Sequence, residues 1–82
     1  MMKELLELLA KNLVDNPDHV SINEIKGEQT VILEMKVPAE DMGKVIGKQG
    51  RIAKSIRTIM KAAAMRHNLR VTVEIIEAQR EN

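Results

Sequence analysis

The spacing of apolar residues along this chain alternates between that of helices and that of strands. The order of these changes limits the possible folds more than any other feature of the sequence. Residues 2–14 carry apolar side chains at helical spacing with charged residues between them. This pattern predicts an amphipathic helix that ends at the sequence D-N-P-D. Two runs rich in β-branched residues, 19–27 and 29–37, follow and meet at Gly27-Glu28, which predicts a tight hairpin turn.

The two predicted strands differ in regularity. In the first run Ile25 breaks the parity of Val20 and Ile22, which predicts a bulge or an early end of the strand. The second run alternates cleanly, so one face of the sheet should hold Val31, Leu33, Met35 and Val37.

The second half of the chain predicts two more helices and a last strand. Residues 39–46 follow Pro38, with Glu40 and Asp41 in a first helical turn, where the helix dipole favours acids. A longer helix is predicted over 51–66 and an alternating strand over 69–76. On a helical wheel the long helix should bury Ile52, Ile56, Ile59, Met60 and Ala63, and the opposite face holds Arg51, Lys54, Arg57 and Lys61.

The element order is therefore α-β-β-α-α-β, which predicts an α+β fold, a two-layer α/β sandwich whose three-stranded sheet has three helices on one face. We expect residues 1–77 to form a single domain and residues 78–82 a flexible tail. A chain of 82 residues buries too little surface for a deep active-site cavity. It has no cysteine, which fits the cytoplasm, and no apolar run that predicts a membrane span.

Charge is distributed unevenly along the chain. Residues 42–73 hold eight lysines and arginines and no acidic residue, although the whole chain has 12 acidic residues. An acid-free block of this length creates a local positive field, which favours a polyanionic partner over an ordinary solvated helix face.

The sequence V-I-G-K-Q-G, which ends at Gly50, lies between the two predicted helices of this basic block. Its two glycines can take positive φ and let a partner approach the backbone. The first N–H groups of the following helix, with its dipole, favour a phosphate there. Beside this loop Val45 and Ile46 offer apolar surface for a base, and the cations Lys44, Lys48, Arg51 and Lys54 would attract the backbone. The predicted binding residues are thus Lys44, Ile46, Gly47, Lys48, Gln49, Gly50, Arg51 and Lys54.

Nearly the whole chain resembles a KH domain of the type II arrangement. The segments "VSINEIKGEQTVILEMKV", "AEDMGKVIGKQGRIAKSIR" and "VTVEIIE" resemble the small bacterial RNA-binding proteins of the KhpA family. The resemblance implies binding of single-stranded RNA, with the G-x-x-G loop at Gly47–Gly50 clamping about four nucleotides and Ile46 in the groove. It also implies homodimers, or a heterodimer with a larger Jag-type partner, KhpB. The chain has no Phe, Tyr or Trp, so base stacking on aromatic rings is excluded.

Parts of the sequence are also compatible with two other functions. Residues 39–66 could form a helix-turn-helix DNA binder, although no Asn or Gln lies on the basic face to read adenine. An assembly protein is the second alternative, with Met35, Met42 and Met65 as candidates for a dimer patch and with Ala64 and Met65 outside the buried stripe. Single-stranded DNA stays open as a ligand. We expect no enzyme, metal, cofactor or small-molecule substrate, because His19, at a predicted strand start, and His67 have no partner at a catalytic or metal-ligand spacing.

Overall fold

A computed structural model of the chain describes residues 1–78, and within them the predicted α-β-β-α-α-β order is confirmed. The helices and strands are α1 (Met2–Lys11), β1 (Ser21–Lys26), β2 (Thr30–Val37), α2 (Met42–Ile46), α3 (Arg51–Met65) and β3 (Arg70–Glu77). Short 3₁₀ turns cover Pro17–His19, Ala39–Asp41 and Lys48–Gly50. His19 therefore ends a turn and does not begin a strand, because Pro17 sets up the turn just before β1.

The sheet has the order β1-β2-β3, with β1 antiparallel and β3 parallel to the central strand. The register of β1 is continuous from Ser21 opposite Lys36 to Lys26 opposite Val31, so the expected bulge is absent. Ile25 breaks the apolar parity because it lies opposite Ile32, on the face of the sheet away from the helices, where it stays exposed. The hydrogen bonding between β3 and β2 extends one residue beyond the end of β3, because the Ala78 N–H donates to the Val37 carbonyl at 2.8 Å. Of the flexible tail expected at 78–82, Ala78 is thus bonded to β2, and residues 79–82 lie outside the described residues.

The hairpin turn is centred one residue later than predicted. The Gly27 N–H donates to the Thr30 carbonyl at 2.8 Å, which pairs these two residues across the turn. Glu28 and Gln29 are therefore the two central residues, and Gly27 belongs to the end of the first strand's ladder.

The core lies between the sheet and the helices. The predicted face of β2 is confirmed, since Val31, Leu33, Met35 and Val37 are all buried. The same core cluster includes Leu6 and Ala10 of α1 and Ile56 and Met60 of α3. Met35 is fully buried and so is not available for a dimer patch, whereas Met42 is partly buried against the core and Met65 is 74% exposed.

The buried stripe of α3 is rotated from the predicted one. Ala64 is buried with Ala53, Ile56 and Met60, whereas Ile59 is 45% exposed, so the predictions for Ala64 and Ile59 were wrong. The observed residues follow an i, i+3, i+7, i+11 spacing, which places Ile59 at the margin of the stripe. The first helix ends three residues earlier than predicted, at Lys11, because the Asn12 side chain donates to the Leu8 carbonyl at 2.7 Å and the chain turns there.

Candidate nucleic-acid interface

The G-K-Q-G sequence forms a tight turn between α2 and α3. Gly47 ends α2 with φ 77° and ψ 175°, and its N–H donates to the Gly43 carbonyl at 2.9 Å. The Gly50 N–H then donates to the Gly47 carbonyl at 3.2 Å. Gln49 and Gly50 both have positive φ, 57° and 72°, so three of the four loop residues lie in backbone regions that L side chains rarely adopt.

The two glycines of this turn serve different purposes. A Cβ on Gly47 would lie 2.6 Å from Cγ1 and 2.9 Å from Cδ1 of Ile52, so the close packing of the first turn of α3 requires its absence. Around Gly50, no described atom beyond its chain neighbours lies within 4 Å of an added Cβ. The side of the loop at Gly50 is therefore open, and a partner could approach the backbone there.

Three of the predicted cations lie in the turn or in the helical turn that follows it. Lys48 lies in the turn, and Arg51 and Lys54 lie in the first turn of α3, all with exposed side chains. Arg51 Nη2 donates to Gln49 Oε1 at 3.1 Å, so Gln49 orients the guanidinium beside the loop. The dipole of a 15-residue helix adds partial positive charge at the same place, with N–H groups that have no acceptor within the helix.

The fourth predicted cation, Lys44, is engaged elsewhere. Its Nζ donates to Asp15 Oδ2 at 2.6 Å, in an ion pair between α2 and the loop that follows α1. This hydrogen bond and the charge of Asp15 raise the pKa of Lys44 above its ordinary value of 10.5. Lys44 therefore carries a charge that Asp15 already balances in part.

The apolar residues before the loop are less exposed than predicted. Val45 is fully buried, so it offers no surface to a base. Ile46 is half-buried and packs against the core while keeping some accessible surface beside Gly47.

Asp41 holds this region to the rest of the molecule, a role that the sequence did not reveal. It is only 1% exposed, and its carboxylate accepts the N–H groups of Asp15 (3.2 Å) and Asn16 (3.1 Å) and the Asn16 side-chain amide (3.0 Å). Burial raises the pKa of Asp41, but these hydrogen bonds outweigh burial, so that the pKa lies below the ordinary value of 3.8. The carboxylate thus ties the start of α2 to the α1–β1 connection.

The two flanks of α3 differ in chemistry. The flank towards β3 carries Arg57, whose Nε donates to the Val73 carbonyl at 3.2 Å, and Lys61, which lies beside Val71. The flank towards α1 is apolar and, with that helix, forms an open groove lined by Leu8, Leu9, Asn12, Leu13, Arg51, Ile52, Ser55, Ile56 and Ile59.

Residues 1–78 contain neither a candidate metal cluster nor a helix that could cross a membrane. No three His, Cys, Asp or Glu side chains among them are grouped so as to hold a metal ion. None of the described helices has the length and apolar character needed to cross a membrane.

A helix–G-x-x-G–helix unit packed on a three-stranded sheet in this order defines a KH domain of the type II arrangement. The family model for the KH domain of KhpA and KhpB matches residues 3–75. The chain is 68% identical over 75 residues to the RNA-binding protein KhpA of Clostridium acetobutylicum and 64% identical to that of Caldanaerobacter subterraneus, in each case covering 92% of this chain and all of the relative. The chain therefore belongs to the KhpA/KhpB KH-domain family, and the resemblance noted in its sequence is confirmed.

The fold also occurs in larger proteins. A crystal structure of Era in complex with a segment of 16S ribosomal RNA superimposes with a TM-score of 0.64 at 18% sequence identity. The match covers 93% of this chain but only 29% of the Era chain, so this likeness concerns the fold alone.

Proposed function

We propose that residues 1–77 act as a single KH domain that binds single-stranded RNA without catalysis. The observation that carries the proposal is the bare turn at Gly47–Gly50, open at Gly50, with exposed Lys48, Arg51 and Lys54 in and just after it, in a segment without acidic residues. RNA is preferred over DNA as the ligand because the relatives are named RNA-binding proteins.

In the proposed complex, phosphates lie at the turn and at the first N–H groups of α3. Lys48, Arg51 and Lys54 supply full charges there, and the exposed part of Ile46 contacts a base. Lys44 contributes less than these three, because Asp15 already balances its charge. Without aromatic stacking, which is worth about 1–3 kcal/mol per base, one copy should bind RNA weakly, and two linked copies more tightly.

The first test is the double variant Lys48→Asp/Gln49→Asp, which keeps both glycines and places two carboxylates at the proposed phosphate site. Fluorescence anisotropy with a labelled single-stranded RNA should show at least about a tenfold loss of affinity, since a charge-assisted contact is replaced by repulsion. Circular dichroism checks that the variant still folds.

The matched control is Lys26→Asp/Gln29→Asp, which changes the charge equally at the hairpin. The Gln29 carbonyl accepts the Arg70 N–H, and Arg70 follows the C-terminal end of α3. This control therefore lies near the opposite end of a helix about 22 Å long from the G-K-Q-G turn. Equal losses of RNA affinity in the two variants would show that overall charge, and not the turn, causes the effect. No loss of affinity in either variant would rule out the turn as the binding site. Displacement of the RNA by duplex DNA would instead favour the helix-turn-helix alternative.

The setting of this activity is also a proposal. We place the protein in the cytoplasm and give it no enzymatic activity, cofactor or small-molecule substrate. Its proposed partners are single-stranded RNA, a second copy of the chain and a Jag-type protein of the KhpB kind, as the family resemblance implies.

Assembly is the second candidate function, and the groove between α1 and α3 favours it. Leu8 is 60% and Ile59 45% exposed on this groove, and Leu13 lies beside them. These apolar residues lie on the flank of α3 opposite Arg57. Arg51 lines the same groove, so a second copy packed against Leu8 and Ile59 would lie next to the bound RNA. We take a second copy as the occupant, because closed two-fold dimers are the commonest soluble assemblies.

The variant Ile59→Glu tests the assembly proposal. A charge placed in an apolar interface should convert a dimer into a monomer, halving the mass measured by light scattering during size-exclusion chromatography. Met65→Glu is the control, because Met65 is exposed outside the groove and its replacement should leave the mass unchanged. A wild type that is monomeric at all accessible concentrations would rule out the homodimer.

A further inference from the structure

Lys44 differs from the other cations near the G-K-Q-G turn because a carboxylate already holds it. Its Nζ donates to Asp15 Oδ2 at 2.6 Å, a short charge-assisted hydrogen bond. The block 42–73 has no acidic residue of its own, so this carboxylate comes from outside it, from the connection between α1 and β1. No described carboxylate forms an ion pair with Lys48 or Lys54.

The backbone of Asp15 is itself held in place. Its N–H donates to Asp41 Oδ1 at 3.2 Å, and the Asn16 N–H donates to Oδ2 of the same carboxylate at 3.1 Å. Asp41 is 1% exposed and directly precedes α2, the helix that carries Lys44. The start of α2 therefore holds both partners of the ion pair. Because the backbone of Asp15 is already ordered, the pair loses less conformational entropy than one between two free surface side chains.

The ion pair lies beside the proposed phosphate site. Lys44 precedes Gly47 by three residues at the end of α2, so the two lie on the same side of that helix, about 4.5 Å apart along its axis. The flexible four-carbon stem of a lysine can span such a distance. The side chains of Lys44 and Asp15 are 43% and 72% exposed, so RNA at the turn can reach both of them.

We propose that Asp15 competes with the RNA backbone for the Lys44 ammonium and thereby limits the affinity of the domain for RNA. A lysine ammonium is a compact charge, so a phosphate must displace or share the carboxylate in order to bind it. A displaced Asp15 carboxylate would also repel the phosphate beside it. This inference rests on the proposed RNA-binding function and adds to it a residue that opposes binding.

The first test compares Asp15→Asn with wild type by fluorescence anisotropy, using the labelled single-stranded RNA. Asparagine keeps the size of the side chain and leaves the backbone bond to Asp41 in place, but it has no charge to hold Lys44. The variant should bind RNA about two- to fivefold more tightly, as expected when an exposed ion pair no longer competes. The slope of log K against log salt should become steeper by about 0.7, as for one added phosphate contact.

A second comparison tests whether the gain depends on Lys44. Lys44→Gln should lower the affinity more in the Asp15→Asn background than in wild type, because the ammonium is free for RNA only in that background. The double variant Asp15→Asn/Lys44→Gln should therefore bind RNA nearly as Lys44→Gln does, and the added salt dependence should be lost.

The matched control is Asp18→Asn, which removes one exposed negative charge from the same connection between α1 and β1. The ion pair of Lys44 is with Asp15 and does not involve Asp18, so the control changes the net charge equally and leaves Lys44 held. Its RNA affinity should change much less than that of Asp15→Asn.

The outcomes separate this inference from the function on which it rests. Equal gains in Asp15→Asn and Asp18→Asn would assign the effect to overall charge and overturn the inference. A gain from Asp15→Asn that persists in the Lys44→Gln background also overturns it, because Asp15 would then act by repulsion alone. If Asp15→Asn binds RNA as wild type does while Lys48→Asp/Gln49→Asp loses binding, the inference is wrong and the proposed function stands. Absence of RNA binding by the wild type rejects the proposed function itself.

Discussion

Replacing Asp41 with alanine should lower the melting temperature by roughly 10 °C or more, because three donors then lose their acceptor. Asp41 is 1% exposed, so water replaces these bonds poorly. The bonds join residues 25 and 26 positions apart, and their loss frees the α1–β1 connection from the start of α2. Thermal unfolding followed by circular dichroism measures the effect.

The control for this variant is Asp15→Asn, which removes the exposed partner of Lys44 and leaves Asp41 intact. Surface ion pairs contribute little, so its melting temperature should change by no more than about 2 °C. Equal effects of the two variants would show that the ion pair, and not the buried carboxylate, holds this connection.

The lowered pKa of Asp41 also sets the direction of a pH effect. Its folded-state pKa lies below the ordinary value of 3.8, so its stabilising contribution is complete above that value and is lost as the pH falls towards the folded-state pKa. Asp41→Asn keeps one acceptor but has no charge to titrate. Its unfolding free energy should therefore fall less steeply with pH in this acidic range than that of wild type.

The sequence predicted the order of elements because each has its own local signal. Apolar residues at two- or 3.6-residue spacing identify strands and helices without any long-range information. The register of β1 could not be predicted without its partner strand, because the position of Ile25 is explained only by Ile32, which lies opposite it in β2. The burial of Ala64 and the exposure of Ile59 likewise depend on where α1 and β3 lie beside α3, which a helical wheel does not contain.

The site was predicted unevenly for the same reason. The G-K-Q-G turn has a local signal in its two glycines, and Lys48, Arg51 and Lys54 lie next to it in the chain. Asp41 looked like a residue in a helical first turn, because its donors at 15 and 16 are distant in sequence. Arg57 was placed on the basic face, and only its bond to Val73 distinguishes it from its neighbours.

Replacing Gly47 with alanine should destabilise the fold most among the loop variants. Its backbone, at φ 77° and ψ 175°, lies in a region that is essentially limited to glycine, so a side chain there costs about 1–3 kcal/mol. The added Cβ would also lie 3.0 Å or less from three side-chain carbons of Ile52, and overpacking of this kind costs a further ~1–3 kcal/mol. Rotation about χ1 cannot relieve the contact fully, because Ile52 Cβ is one of the three carbons. Urea unfolding measures the sum.

Two companion variants separate backbone strain from crowding. Gly50→Ala places a Cβ in open space at φ 72°, so only the left-handed backbone penalty of about 1–2 kcal/mol is expected. Combining Gly47→Ala with Ile52→Ala removes the two closest carbons, and the double variant should lose less stability than the sum of the single variants. Strict additivity would mean that the contact with Ile52 is relieved by movement of the loop. The requirement for glycine at 47 would then be one of backbone conformation alone, as it is at 50.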